Sequence, residues 1–226
     1  MSLTLAFDVY GTLIDAHGVV VRLETLIGSR AREFSRIWRE KQLEYSFRRG
    51  LMRRYQNFGL CTRQALDYTS SLLGVELSEE QKSALMAEYR VLPVFEDVEE
   101  SLQTLQEAGH ALFAFSNGTA DAVGALLENA GIRSRFDGVV SVDDRQTFKP
   151  NPDVYRHFVE TTGATVADTW LISSNSFDVI GAVSYGMRAA WVQRSKDSVF
   201  DPWGIEPTLR INSLRELAQG IAAEHA

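Results

Sequence analysis

The spacing of apolar residues changes period along the chain. A short apolar run, Leu3-Thr4-Leu5-Ala6-Phe7, ends at Asp8, and Gly11 and Thr12 follow as turn residues. A run of that length bounded by a turn reads as a buried strand. From about 16 to 92 the pattern is helical instead. In "REFSRIWREKQLEYSFRRGLM", Phe34, Ile37, Trp38 and Tyr45 fall near helical spacing. "TRQALDYTSSLLG" and "SEEQKSALMAEYRVL" continue it, the latter opening with Ser78 and Gln81 at capping-box spacing. Pro93 closes the block.

Beyond Pro93 helical and extended patterns alternate. Helices are predicted over 97–108, 120–130, 152–162 and 177–185, ending at or next to Gly109, Gly131, Gly163 and Gly186. Strands are predicted over 111–115, 138–141, 169–174 and 188–193, and a loop with one short strand over 195–210. Glycine-terminated helices alternating with strands imply βαβ units around a parallel sheet. The expected architecture is α/β, a Rossmann-like parallel sheet core with helices on both faces and an inserted helical cap. The core is assigned to residues 1–15 and 93–226, the cap to residues 16–92.

Composition narrows the class. The chain has 226 residues, 45% of them apolar, enough for one large domain with an insertion. A formal net charge of -7 argues against nucleic acid or an anionic membrane as partner. Cys61 stands alone, which fits a reducing compartment. No apolar run approaches the roughly 20 residues of a membrane span, and no signal-type segment precedes the first strand. A cytoplasmic protein is expected.

Four polar clusters fall at the C-terminal tips of predicted strands: Asp8 with Thr12, "SNG" at 116–118, Lys149 in "FKP", and "SSNSFD" at 173–178. Singly, each has an ordinary explanation. Asp before Gly-Thr suits a turn, Ser-Asn-Gly an N-cap, Lys149 a solvated loop, and Asp178 a helix dipole. Together they converge, because strand tips of an open parallel sheet share one crevice.

In this order, "FDVYGTL", "SNG", "KP" and "SSNSFD" resemble the four motifs of the haloacid dehalogenase superfamily, over essentially the whole chain. Its phosphatases read Asp-x-Asp in the first motif, where this chain has Tyr10 as the second residue. They also carry acidic residues near Ser173 and Ser174, and magnesium needs such hard oxygen ligands. A phenol with an ordinary pKa near ~10 replaces a carboxylic acid poorly as a proton donor. The departures resemble the L-2-haloacid dehalogenases, as does "IWREKQLEYSFRRGLM", where an arginine, Arg39, follows Ile-Trp.

That resemblance implies hydrolysis of short L-2-haloacids to D-2-hydroxyacids and halide, through an ester on Asp8, without metal or cofactor. It assigns Lys149 to Asp8, Ser116 to the substrate carboxylate, and Arg39 with Asn117 to the departing halide. Thr12, Ser173 and Asn175 orient Asp8, Asp178 activates water, and Tyr155 supports the lysine. Tyr10, Leu43, Phe58 and Phe177 shape the apolar pocket around C2. Arg48, Arg49, Arg53 and Arg54 read as solvent-facing. Family members often pair through cap helices, so a homodimer is expected. The competing readings are a small-molecule phosphatase of the same superfamily and a non-catalytic carboxylate-binding module.

Overall fold

Six strands form one sheet: β1 (Thr4–Asp8), β2 (Ala111–Ser116), β3 (Gly138–Ser141), β4 (Thr169–Ser173), β5 (Arg188–Val192) and β6 (Leu209–Ile211). Their order is β3-β2-β1-β4-β5-β6, and every neighbouring pair is parallel. This is a computed structural model that describes residues 2–225. The apolar runs read as strands because they are buried on both sides. Leu5, Ala6 and Phe7 are wholly inaccessible, as expected where helices cover both faces of a parallel sheet. Each large side chain so buried contributes about 1.5–3 kcal/mol.

Strand order reverses between β1 and β4, where connections run outward in opposite directions. Right-handed crossovers then send helices to opposite faces. The helices are α5 (Val98–Glu107), α6 (Ala120–Asn129), α7 (Pro152–Thr162), α8 (Ser176–Tyr185) and α9 (Leu217–Glu224), which follow α1 to α4 described below. α5 packs on α9, and α7 on α8. α9 is a helix that the apolar pattern did not announce. Register fixes the crevice: Asp8 pairs with Phe115, and Phe7 with Ile172, so Ser173 stands level with Asp8.

Between β1 and α5 lie α1 (Val20–Ile27), α2 (Ala31–Leu51), α3 (Phe58–Leu73) and α4 (Glu79–Glu88). The chain leaves the sheet and returns to it at one place. Ile14 bridges Val94, and Asp15 N–H donates to Pro93 O at 2.8 Å. α2 packs along α3, with the buried Trp38 indole donating to Thr62 O at 2.8 Å. The capping box of Ser78 and Gln81 starts α4 as the spacing predicts. The loop after α2 and the start of α3 touch the strand-tip loops: Tyr55 donates to Asp143, and Phe58 and Phe148 rings lie 6.2 Å apart.

Candidate active site

β1 delivers Asp8 to the sheet's C-terminal edge beside the β1/β4 reversal, where open α/β sheets bind ligands. The turn after it depends on Gly11, at φ +88°, a left-handed backbone conformation that residues with a side chain rarely adopt. That turn brings Thr12 back over Asp8.

The two oxygens of Asp8 differ. Oδ2 accepts from Thr12 Oγ1 at 2.8 Å, Asn175 Nδ2 at 2.8 Å and Ser173 Oγ at 3.3 Å. Among the described residues Oδ1 accepts only from the Lys149 ammonium, at 3.1 Å. Thr12 is itself held, its hydroxyl accepting from Ser174 N–H at 2.8 Å. Asn175 also donates to Tyr10 O at 3.2 Å, tying the fourth cluster to the first.

Lys149 is no loop lysine: its side chain is 1% exposed. Nζ donates to Asp178 Oδ2 at 2.7 Å and Phe115 O at 2.8 Å, besides Asp8. Its backbone N–H donates to Asn117 Oδ1 at 3.0 Å. Burial works against the charge, but Asp178 and Asp8 outweigh it and hold the ammonium above the ordinary lysine range. Asp178 is wholly buried, not a solvated dipole partner. Burial pushes its carboxyl up to about 6, against the pull of Lys149 and with added repulsion from Asp8. The Tyr155 hydroxyl donates to Asp178 Oδ1 at 2.8 Å and its backbone O at 3.0 Å. Only glycine fits at 181, because a Cβ there would overlap the Tyr155 hydroxyl and approach Pro150 Cβ to 2.6 Å.

The SNG cluster divides its roles. Ser116 Oγ accepts from Gly118 N–H at 3.1 Å, and the N-cap of α6 is Thr119, not Ser116 or Asn117. Asn117 is engaged with the Lys149 backbone and makes no hydrogen bond to Arg39, its expected partner around the halide. Arg39 reaches inward from α2, NH1 donating to Gln42 Oε1 at 2.6 Å and NH2 to Tyr10 O at 3.4 Å. Burial lowers its affinity for the proton, while Tyr89, Asp8 and Tyr10 raise it.

A cavity of about 540 Å³ opens beside these groups, lined by Tyr10, Phe58, Met86, Tyr89, Gly118 and Ala122 among others. Asp8 does not reach its wall, whereas Tyr10, two residues on, does. The Tyr10 ring lies 6.1 Å from Phe58 and 6.3 Å from Tyr89. Burial pushes the Tyr10 phenol up to about 12. Leu43 and Phe177, expected in the same apolar pocket, do not line this cavity. Phe177 sits edge-on to Phe47, at 5.0 Å, because the first turn of α8 faces the last turns of α2.

Sequence reasoning missed four participants. Tyr89 closes the cavity from just beyond α4, and Trp191 Nε1 donates to Ser174 O at 3.0 Å. Arg194 and Asp97 form a partly buried ion pair behind Thr12. Arg194 lies just past the β5 tip, so extending the strand-tip argument by one strand would have reached it. Nothing in the local pattern marks Asp97. Among the described residues, no group of three or more His, Cys, Asp or Glu converges to hold a metal. The Lys149 ammonium already bridges Asp8 and Asp178, the two anionic groups a cation would need.

The family model described as haloacid dehalogenase-like hydrolase matches residues 3–186. The (S)-2-haloacid dehalogenase of Pseudomonas sp. (strain YL) is 38% identical over 95% of this chain and 92% of its own. That of Xanthobacter autotrophicus is 40% identical over 84% of this chain and 74% of its own. A solved structure of L-2-haloacid dehalogenase from Xanthobacter autotrophicus with chloropropionic acid covalently bound superposes with a TM-score of 0.90. It shares 34% identity and covers 98% of this chain and 99% of its own.

Proposed function

This chain belongs to the haloacid dehalogenase-like hydrolases, and on that premise we propose that it hydrolyses short L-2-haloacids to D-2-hydroxyacids and halide. The observation that carries the reading is the inequality of the Asp8 oxygens. Oδ2 is saturated by three donors, while Oδ1 keeps a lone pair free beside Lys149. Oδ1 is therefore the nucleophile. It attacks C2 in line, the carbon–halogen bond breaks, and halide leaves as a stable anion that needs no proton. A carboxylic acid at position 10 is then unnecessary, and Tyr10 serves as an apolar wall.

The ester leaves Oδ2 as its carbonyl oxygen, already facing Thr12, Ser173 and Asn175. Water adds to the Asp8 carbonyl carbon, and the charge developing on Oδ2 meets those preset donors, as in an oxyanion hole. The tetrahedral species collapses by breaking the bond between that carbon and Oδ1, which leaves with the hydroxyacid. Asp178, more basic than an ordinary carboxylate, accepts the water proton once Lys149 or Tyr155 yields its bond, and that proton passes to the departing Oδ1, which leaves as the hydroxyl of the 2-hydroxyacid. Ser116, Arg39 and Asn117 attend the substrate carboxylate and halide. The helices of residues 16–92 act as a cap, and the exposed Leu51, Met52 and Leu72 suit pairing of two copies. The reaction proceeds in the cytoplasm and uses no metal.

The test is a single turnover in ¹⁸O-water. Water must attack Asp8 rather than C2, so the heavy oxygen is expected in Asp8, with the hydroxyacid largely unlabelled. Product labelled in the first turnover would refute the ester route.

A further inference from the structure

Behind the site a second set of contacts runs from the end of the sheet to Thr12. Arg194 follows β5, and its side chain is 13% exposed. Its Nε and NH2 both donate to Thr12 O, at 3.0 and 2.6 Å. One planar fork thus takes both lone pairs of a single carbonyl, which fixes the peptide plane after Thr12. NH1 turns the other way and donates to both oxygens of Asp97, at 2.8 and 2.7 Å. Asp97 Oδ2 also accepts from Ser213 Oγ and Leu214 N–H, each at 2.8 Å. Burial works against charge on Asp97, but the hydrogen bonds from Arg194, Ser213 and Leu214 keep its carboxyl below the usual range. The Phe95 ring lies under the guanidinium, 4.3 Å from Cζ.

None of these groups touches Asp8. Thr12 does, its hydroxyl donating to Oδ2 at 2.8 Å. In the turn around it, Leu13 and Ile14 N–H share Val9 O, each at 3.0 Å. The Thr12 carbonyl itself has no other donor among the described residues. Arg194 is therefore its anchor, and Asp97 is what aims the anchor.

We propose that Arg194, oriented by Asp97, is a positioning residue for the nucleophile, acting through the Thr12 backbone on the hydroxyl that aligns Asp8. The inference rests on the haloacid reading for its kinetic readout but not for its geometry. Loss of the fork lets the peptide plane turn and the hydroxyl swing off Oδ2. Substrate binding groups stay where they are, so the loss falls on turnover.

The experiment is a double-mutant cycle between positions 194 and 12, read by kcat and by the ¹³C resonance of the Asp8 carboxyl. Arg194→Lys keeps the charge opposite Asp97 and protects the fold, but it cannot hold both the carboxylate and the carbonyl with one planar group. It is expected to lower kcat about 10-fold, with KM changed less than about 2-fold. In a Thr12→Val background, where Ser173 and Asn175 still hold Asp8, the same exchange is expected to change kcat less than about 2-fold. The Asp8 resonance should move on Arg194→Lys only when Thr12 carries its hydroxyl. Additive effects on kcat, or a resonance that moves equally in both backgrounds, would reduce Arg194 to a purely structural role and overturn the proposal. If the wild-type protein releases no halide, the haloacid reading falls, and the resonance alone judges Arg194.

Discussion

The ammonium of Lys149 stands 2.7 Å from Asp178 and 3.1 Å from Asp8, bridging two buried carboxylates. Removing one partner of a buried pair is far more damaging than the pair's net worth, because the remaining charge has lost its solvent and its counterion. Lys149→Met is expected to destabilise the fold by about 3–5 kcal/mol in urea unfolding. It should lower kcat by more than about 100-fold, roughly 2.7 kcal/mol in the barrier. A variant with wild-type midpoint and turnover would remove Lys149 from the site.

Asp178 supplies a pH signature. Its carboxyl is raised from 3.8 to about 6, so the folded protein binds this proton more tightly than the unfolded chain does. Its contribution to stability is therefore full below about pH 4 and is lost as pH rises through about 6. Urea unfolding of wild type against Asp178→Asn should show the difference shrinking over that window and flat above it. Activity runs the opposite way, because the ionised form takes the water proton. Log kcat should fall as pH drops below about 6, and Asp178→Asn should cost at least about 100-fold.

Arg39 separates from its basic neighbours. Its fork reaches Tyr10 O and Gln42 inside the site, whereas Arg48 pairs with Glu44 at the surface. Arg39→Lys keeps the charge and loses the planar donors. It is expected to reduce kcat at least about 10-fold, about 1.4 kcal/mol, while Arg48→Gln leaves halide release unchanged. Equal effects of the two would make Arg39 another surface arginine.

Chelation tests the metal question. Lys149 occupies the space between the two carboxylates, and Ser173 and Ser174 stand where hard anionic ligands would be needed. Halide release should be unaltered in excess EDTA and unstimulated by magnesium. Loss on chelation with recovery on magnesium, together with phosphate-ester hydrolysis, would install the phosphatase reading instead.

Much of this site is legible because strand tips are legible. Asp8, Ser116 and Ser173 each end an apolar run, and a parallel sheet gathers such ends whatever their separation in sequence. Burial is not legible in that way. "FKP" looks like a solvated loop until Asn117 captures the Lys149 backbone and two carboxylates draw its ammonium inward. Asp97 and Arg194 each look unremarkable, and only the fold brings residues 97 positions apart into one ion pair. Phe177 shows the same limit. The resemblance assigns it to the apolar pocket around C2, and in the fold its ring meets Phe47 of α2, a neighbour that the sequence pattern does not announce.

The long span between paired residues also sets the order in which a growing chain can become competent. Asp8 and Asn175 are 167 residues apart, and β1 pairs on both edges with strands made much later. At about 5–20 residues per second, roughly ten to thirty seconds of translation separate nucleophile from partner. Until β2 is made the Leu5-Ala6-Phe7 stretch, finally inaccessible to water, has neither neighbour in place, and until β4 is made it lacks one of them. α2 and α3 are close in sequence and pack together, so they can assemble on the ribosome while β1 waits. A nascent chain halted before β2 carries an apolar strand with two open edges, a template for association with other chains. Translation speed and chaperone capture are therefore expected to govern the yield of this protein more than its final stability does.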